Sequence, residues 1–215
     1  MLKDAPDGTP RGIAPDLGRE LGKRLGVTVE FVKFDSAGKL ADAVSEAKWD
    51  IAFLGNEPAR ADKIAFSSAY LEIPVTYLVP PGSKLRSPQE VDRKGVRIAV
   101  AERSAYDLYL SRTLQHAELV HAESMDASFK LMVEAELEAL AGLKPRLLQD
   151  AQRLPGSRVL EGQVTAVQQS IGTTRSREDG ARYLREFAED IKASGLVTEL
   201  IERHQVPGVN VAPKA

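Results

Sequence analysis

The sequence predicts an α/β protein in which parallel strands are joined by crossover helices. Apolar residues spaced four apart, Leu17, Leu21 and Leu25, predict a helix, and Gly26 is typical of a helix end. The next stretch, Val27–Phe34, is rich in β-branched and aromatic residues and predicts a strand. This alternation of helical and strand patterns continues along the chain, which favours parallel sheets with crossover helices.

The later elements follow the same alternation. Residues 87–90 have the pattern of a capping box, with serine, proline and glutamate in the expected order. Ser104 and Ser176 are predicted to cap two further helices. Predicted strands cover residues 50–54, 73–79, 96–101, 118–121, 137–140 and 164–171. Predicted helices cover residues 37–47, 104–116, 126–134 and 143–151, the segment from Ser176 to Gly195, and residues 196–204.

Composition excludes several classes of function. Of the 215 residues, 43% are hydrophobic and 28% are charged, which is typical of a folded globular protein. The net charge is -2, and no basic stripe indicates a nucleic-acid binder. The sequence has no cysteine, so disulfides and thiolate chemistry are excluded. Its three histidines lack the spacing of a helical metal site, and no cofactor-binding motif is present.

The sequence contains no predicted membrane span and no predicted export signal. No apolar run approaches the roughly 20 residues that cross a bilayer. The residues from Met1 to Pro6 lack the apolar stretch of a signal peptide.

The most informative segment follows a short apolar strand at residues 50–54. The strand ends at Gly55, a loop follows, and Arg60 comes within one helical turn. Ligands of α/β sheets bind beyond the carboxyl ends of the strands, so this loop is a candidate site. The planar donors of Arg60 suit a bidentate carboxylate. On these residues alone, Arg60 could equally be an ordinary surface arginine.

A longer resemblance includes this segment. The run WDIAFLGNEPARADKIAFSSAYLEIPVTYLV resembles the polar amino-acid binding proteins of ABC transporters, which are extracellular solute-binding proteins of family 3. Gly12–Leu17 resembles the helix entry of that family, and VDRKGVRIAVAERSAYDLYL resembles the start of its second lobe. SIGTTRSREDGARYLREF resembles the return crossing into the first lobe. The likeness covers nearly the whole chain, with four motifs in order.

The resemblance implies the two-lobed periplasmic-binding-protein fold, with two hinge crossings and a mainly parallel sheet in each lobe. Residues 1–72 and 172–215 would form the first lobe, and residues 73–171 the second. The implied ligand site lies between the lobes, with Arg60 as the carboxylate anchor. The other residues implied to bind the ligand are Phe53, Leu54 and Gly55 of the first lobe and Ser104, Ala105 and Tyr106 of the second. Phe53 and Tyr106 could equally be core residues, and Ser104 could be only a helix cap.

The chain departs from the family pattern in the residues that would bind an amino acid. An acidic residue of the second lobe usually holds the ammonium of the ligand, but the matching residues Ala139–Leu143 include no carboxylate. A buried ammonium without a partner is costly, so α-amino acids are doubtful ligands unless Glu72 or Glu102 takes this role. Hydroxyl residues are absent at Phe53 and Gly55, which favours a ligand with an apolar or aromatic body.

A further departure concerns the first strand. Family members carry a strand before the first helix, between the strands that correspond to Val27–Phe34 and Asp50–Leu54. Without it, these two strands would expose unpaired backbone groups. We therefore expect either that the natural start lies upstream of Met1 or that another segment fills this position.

The sequence-based expectation is a protein that is not an enzyme and that needs no cofactor. It would bind a small organic anion or amino acid in the periplasm as a monomer and deliver it to the membrane permease of an ABC transporter. Two alternatives remain. One is a ligand-sensing regulatory domain of the same fold, and the other is an enzyme derived from it that dehydrates cyclic acids, with Glu57 as the nearest candidate acid.

Overall fold

A computed structural model describes residues 3–4 and 8–215 of the protein. The chain forms two compact units. The first unit contains the described residues up to Phe34 together with residues 41–72 and 168–215, and the second contains residues 35–40 and 73–167. The lobe limits inferred from the sequence stay a prediction.

The described elements are helices and strands that alternate along much of the chain. The strands are β1 (Lys3–Asp4), β2 (Pro10–Arg11), β3 (Ile51–Gly55), β4 (Ile64–Phe66), β5 (Leu71–Val79), β6 (Arg97–Ala101), β7 (Glu118–Ala122), β8 (Ala139–Leu143), β9 (Arg158–Val159), β10 (Thr165–Thr174) and β11 (Asn210–Val211). The α-helices are α1 (Ile13–Leu25), α2 (Ala37–Asp42), α3 (Pro58–Ala61), α4 (Ala105–Thr113), α5 (Met125–Glu134), α6 (Lys144–Arg153), α7 (Glu178–Ala193) and α8 (Leu196–Arg203). Two short 3-10 helices cover Ala43–Glu46 and Pro88–Glu90.

In the first unit, the strands pair around β10. Its residues 169–174 run antiparallel to β3 and to β4, with Ile171 opposite Phe53 and Gly172 opposite Phe66. Helix α8 packs against both α1 and α7. Buried apolar side chains on the helices include Leu17, Leu21, Leu184, Phe187, Ile191, Val197 and Leu200. The end of β3 therefore lies beside its antiparallel neighbour β10.

In the second unit, β6 lies between two parallel neighbours, β7 and β8. The other edge of β8 pairs antiparallel with β5, which also pairs with β9. One core cluster contains Val75, Ile98, Val100, Tyr106 and Leu110. A second cluster packs Leu78, Ala99 and Leu140 against helical side chains such as Phe129, Met132 and Leu147. This packing places α4 against the sheet, where it contacts β8.

The α/β class is confirmed, but the strand pairing is more mixed than predicted. In the first unit, β10 pairs antiparallel with both β3 and β4. Parallel pairing is seen between β6 and its two neighbours, β7 and β8. The prediction of a mainly parallel sheet in each lobe is corrected accordingly.

The predicted strand at Val27–Phe34 is wrong. These residues have no regular secondary structure, and Val27, Phe31 and Val32 are exposed by 58, 37 and 57%. A strand is stable only when a neighbour accepts its backbone hydrogen bonds. No strand in the described part of the chain pairs with this segment.

Helix ends show where local sequence signals succeed. Gly26 adopts the left-handed conformation (φ 68°) that ends α1, as predicted. The Ser104 hydroxyl caps α4 as predicted. Ser176 does not cap α7, because the N-cap position is Arg177, and the Ser176 hydroxyl is hydrogen-bonded to that of Thr174. The predicted capping box forms only a short 3-10 helix without a Ser87 side-chain cap.

Candidate functional site

In the first unit, the predicted site residues of β3 lie at the end of a strand held on one side by β10. Leu54 is 2% exposed, Gly55 is buried, and Phe53 is half-buried. The pairing continues one residue further, where the amide of Asn56 donates to the carbonyl of Gln168 at 2.8 Å. The backbone after β3 therefore has a fixed starting direction.

Arg60 lies on the short helix α3 that follows. Glu57 precedes this helix in an extended conformation, Pro58 occupies its first turn, and the amide of Arg60 donates to the carbonyl of Glu57 at 2.9 Å. The Arg60 side chain folds back towards β3, where Nη1 donates to the carbonyl of Gly55 at 2.8 Å. Arg60 is only 6% exposed. Because a buried cation is costly unless it is hydrogen-bonded, Gly55 both stabilises the guanidinium and fixes its orientation.

The Phe53 ring has a defined aromatic neighbour. It meets Tyr70 edge to face, with the ring centroids 6.0 Å apart and the planes at 82°. Tyr70 is fully buried, and this burial raises the pKa of its hydroxyl. Phe53 also lies near Gly18 of α1, where an added Cβ would be 3.7 Å from its ring. These neighbours restrict the orientation of the Phe53 ring.

In the second unit, Ser104, Ala105 and Tyr106 form the beginning of α4. The Ser104 hydroxyl accepts a hydrogen bond from the amide of Asp107 at 3.1 Å. All three residues are buried, at 8, 6 and 3% exposure. The N-terminus of a helix favours an anion, because its first amides lack acceptors within the helix and its dipole is positive there.

Tyr106 is largely a core residue. Its side chain belongs to the apolar cluster that contains Val100 and Leu110. Burial raises the pKa of Tyr106 to about 12, although a hydrogen bond with the Ser104 side chain acts in the opposite direction. Its role as a ligand contact stays a prediction.

Sequence analysis missed a polar cluster behind the start of α4. The buried carboxylate of Asp107 accepts the amide of Arg103 at 2.6 Å and the hydroxyl of Ser111 at 3.2 Å. Its Oδ1 also lies 2.9 Å from Nε2 of His121 on β7. The local signal was available, since an acidic residue three positions after a serine cap is typical of a capped first turn. The contact with His121 depends on the pairing of β6 with β7, which no local pattern reveals.

Glu72 and Glu102 are the two acids considered as partners for the ammonium group of a ligand. Glu72 accepts a hydrogen bond from Nε2 of Gln168 at 3.0 Å, and Glu102 is exposed. The residues Ala139–Leu143 form the strand β8, and four of the five are buried. None of these five residues has a carboxylate side chain.

Arg60, Phe53, Leu54 and Gly55 therefore lie together in the first unit, and Ser104, Ala105 and Tyr106 lie together in the second. Within the described residues, no group of three or more histidine or acidic side chains is arranged to hold a metal ion. No helix in the described chain is long and apolar enough to cross a membrane.

Comparison with known families decides the class of the protein. Residues 2–206 match the family model of bacterial extracellular solute-binding proteins, family 3. The chain belongs to this family. As a family 3 member it is a solute-binding protein, as the sequence motifs had indicated, and the family itself is one of binding proteins found outside the bacterial cytoplasm.

Solved structures show the same fold. The solute receptor for L-cysteine of Neisseria gonorrhoeae matches with a TM-score of 0.82 and 19% identity, over 96% of this chain and 86% of that one. The substrate-binding protein of an amino acid ABC transporter matches with a TM-score of 0.78 and 16% identity, over 94 and 92% of the two chains. An ancestral amino-acid-binding protein, described as a precursor of cyclohexadienyl dehydratase, matches with a TM-score of 0.77 and 23% identity, over 94 and 88%. The predicted fold class, the two-lobed α/β fold of periplasmic binding proteins, is confirmed.

Proposed function

We propose that this family 3 protein binds a small carboxylate-bearing solute in the periplasm and delivers it to the permease of an ABC transporter. The observation that carries the proposal is the buried guanidinium of Arg60 at the carboxyl end of β3. That position is where α/β folds bind ligands. The solved relatives named for L-cysteine and for an amino acid ABC transporter support the same class of ligand.

Arg60 is the proposed anchor for the carboxylate. Its guanidinium lies in a region of low exposure, where water competes weakly for its hydrogen bonds. The bond from Nη1 to the Gly55 carbonyl holds the planar group in one orientation. A pre-oriented guanidinium loses less side-chain entropy when it binds, and its donors match the two oxygens of a carboxylate. This combination favours a carboxylate over a neutral ligand.

The beginning of α4 is the proposed second contribution. The Ser104 hydroxyl satisfies the amide of Asp107, so the cap does not use the first-turn amides of Ala105 and Tyr106. These amides are the proposed donors for the same anion or for a second polar group of the ligand.

The body of the ligand is proposed to be apolar or aromatic, with Phe53, Leu54 and Gly55 in contact with it. The half-buried ring of Phe53 offers a face of this chemistry, held by its edge-to-face contact with Tyr70. The strand β8, with Ala139–Leu143, offers no acid for an ammonium. We therefore propose an organic acid without a free α-amino group in preference to an α-amino acid.

Thermal unfolding against a panel of ligands tests the proposal. The panel contains amino acids, 2-keto acids and aromatic carboxylates, each measured with the parent protein and with Arg60→Ala. A ligand at 100 times its Kd adds about 2.7 kcal/mol of stability, which raises the Tm measurably. We expect at least one acid to stabilise the parent and to have little effect on Arg60→Ala. Arg182→Gln, which removes an exposed arginine of α7, serves as the control and should respond like the parent.

Two outcomes would contradict the proposal. The first is a cooperatively folded protein whose Tm does not respond to any acid of the panel. The second is a response that is the same in the parent and in Arg60→Ala. Because one structural relative is a precursor of a dehydratase, each stabilising cyclic acid is also incubated with the protein and followed for loss of water. Turnover that is abolished by Glu57→Gln would replace the binding proposal by an enzymatic one.

A further inference from the structure

A pocket lined by polar and charged side chains lies within the first unit and involves none of the residues proposed above. Its volume is about 540 Å³, which is in the usual range for small-molecule sites. Its lining comes from the segment before α1, from the first two turns of α1 and from the end of α8. The lining residues are Thr9, Arg11, Asp16, Arg19, Arg203 and His204.

The lining carries an excess of positive charge. Three guanidinium groups face one carboxylate, which leaves two positive charges when His204 is neutral. Glu199 lies outside the lining and pairs with Nη2 of Arg203 at 2.5 Å, but its side chain is 60% exposed. When this carboxylate is counted, one net positive charge remains around the pocket. The pocket therefore remains favourable for an anion.

Asp16 organises the basic side chains around it. Its Oδ1 accepts from Nη1 of Arg19 at 2.8 Å, and its Oδ2 lies 2.8 Å from Nε2 of His204 and 3.6 Å from Nη1 of Arg203. Nη2 of Arg19 also donates to the carbonyl of Pro10 at 2.7 Å. These contacts connect the start of α1 to the end of α8 and restrict the basic groups before any ligand binds.

Arg11 is different from the other two arginines. It is exposed, and within the described chain its guanidinium has no hydrogen-bonding or ion-pair partner. A planar guanidinium at the edge of a concave, positively charged pocket is suited to bind two oxygens of one anion. The arrangement thus combines restricted cations with one cation available for a ligand.

We propose that this pocket binds a phosphate group, either free or as part of a phosphate monoester. The net positive charge favours an anion, and the tetrahedral oxygens of phosphate can accept bonds from several guanidinium groups at once. The volume leaves room for an organic group attached to the phosphate. The proposal is independent of the solute bound near Arg60, because the two sets of residues do not overlap.

Calorimetric titration of the full chain with inorganic phosphate tests the proposal at low ionic strength. We expect saturable binding with one site, and a loss of affinity of about tenfold or more in Arg11→Gln and in Arg203→Gln, since each removes charge-assisted hydrogen bonds. Arg185→Gln removes an exposed arginine of α7 outside the pocket and should bind phosphate like the parent. Added chloride should weaken binding, because the site is open to solvent.

Further titrations distinguish this pocket from phosphate binding elsewhere on the chain. Loss of phosphate binding in Arg60→Gln, with retention in Arg11→Gln, would overturn the assignment. The same is true if phosphate does not bind the parent, or if Arg185→Gln weakens binding as strongly as Arg11→Gln. Glycerol phosphate is titrated in parallel, and sedimentation with vesicles of phosphatidylglycerol or phosphatidylcholine tests a lipid source of the phosphate. Binding to free phosphate but not to vesicles assigns a soluble ligand, and Arg11-dependent binding to the anionic vesicles assigns a lipid headgroup.

Discussion

Replacement of Asp107 by alanine tests how the start of α4 is held in place. The side chain of Asp107 is 6% exposed. It accepts the amide of Arg103 at 2.6 Å and the hydroxyl of Ser111 at 3.2 Å, and it lies 2.9 Å from His121. Arg103 adopts a positive φ of 56°, which is unfavourable for a residue with a side chain. The carboxylate therefore stabilises the unusual backbone that leads into the helix.

The magnitude follows from which partners can find water after the substitution. Ser111 is exposed and His121 is 44% exposed, so water can replace their lost bonds. The bond from the Arg103 amide to a charged acceptor is worth about 1.5–3 kcal/mol. A carboxylate near a helix N-terminus adds about 0.3–1 kcal/mol. Because alanine also removes the cost of burying the charge, we expect Asp107→Ala to lose about 2 kcal/mol.

Thermal unfolding monitored by circular dichroism measures this loss. For a chain of this size, about 2 kcal/mol corresponds to a decrease in Tm of roughly 4–8 °C. Asp107→Asn keeps an oxygen for the Arg103 amide and should lose about half as much. Ser111→Ala is the control and should stay within about 0.5 kcal/mol of the parent. A Tm of Asp107→Ala equal to that of Ser111→Ala would refute the role assigned to the carboxylate.

Two further predictions concern other parts of the fold. The guanidinium of Arg97 lowers the pKa of Glu138 in the folded protein. The Glu138 carboxylate therefore stabilises the folded state at pH values above its unfolded pKa. This stabilisation is lost as the pH falls through the lowered pKa of the folded state. Both side chains are about a third or more exposed, so we expect Glu138→Gln to cost only about 1 kcal/mol at neutral pH, and urea unfolding should show the difference from the parent vanishing in acid. In β10, a Cβ at Gly172 would lie 2.5 Å from Cγ2 of Ile64, so Gly172→Ala should destabilise by about 1–3 kcal/mol. Gly180 in α7 has room for a Cβ, so Gly180→Ala should stabilise by about 0.5–1 kcal/mol in the same urea experiment, and the opposite order of the two variants would contradict the packing described.

Local sequence signals predicted most of the secondary structure because they act within one helical turn. Gly26 ends α1 and Ser104 caps α4, and both need only their own neighbours. Local signals fail where the structure of a segment depends on contacts with other residues outside that segment. Val27–Phe34 has the composition of a strand but no neighbouring strand to pair with in the described chain. Ser176 is hydrogen-bonded to Thr174 and does not cap α7, which follows it.

The candidate site shows the same division. The position of Arg60 after an apolar strand and the serine at the start of α4 were readable from the sequence. The hydrogen bond from Arg60 to the Gly55 carbonyl depends on the direction of the side chain. The contact of Asp107 with His121 depends on strand pairing. The antiparallel place of β10 beside β3 was also not predicted, because alternating helices and strands favour parallel order and do not specify a strand that returns from another unit.

Binding of a carboxylate by Arg60 is tested by titrating the best acid of the panel and its primary amide into the parent and into Arg60→Ala. The amide keeps the shape of the ligand and removes its charge. We expect the parent to bind the acid roughly 30-fold or more tightly than the amide, because the amide lacks the negative charge that the buried guanidinium attracts. In Arg60→Ala this preference should disappear. Equal affinity of the parent for acid and amide, or an undiminished preference in Arg60→Ala, would rule out Arg60 as the carboxylate anchor.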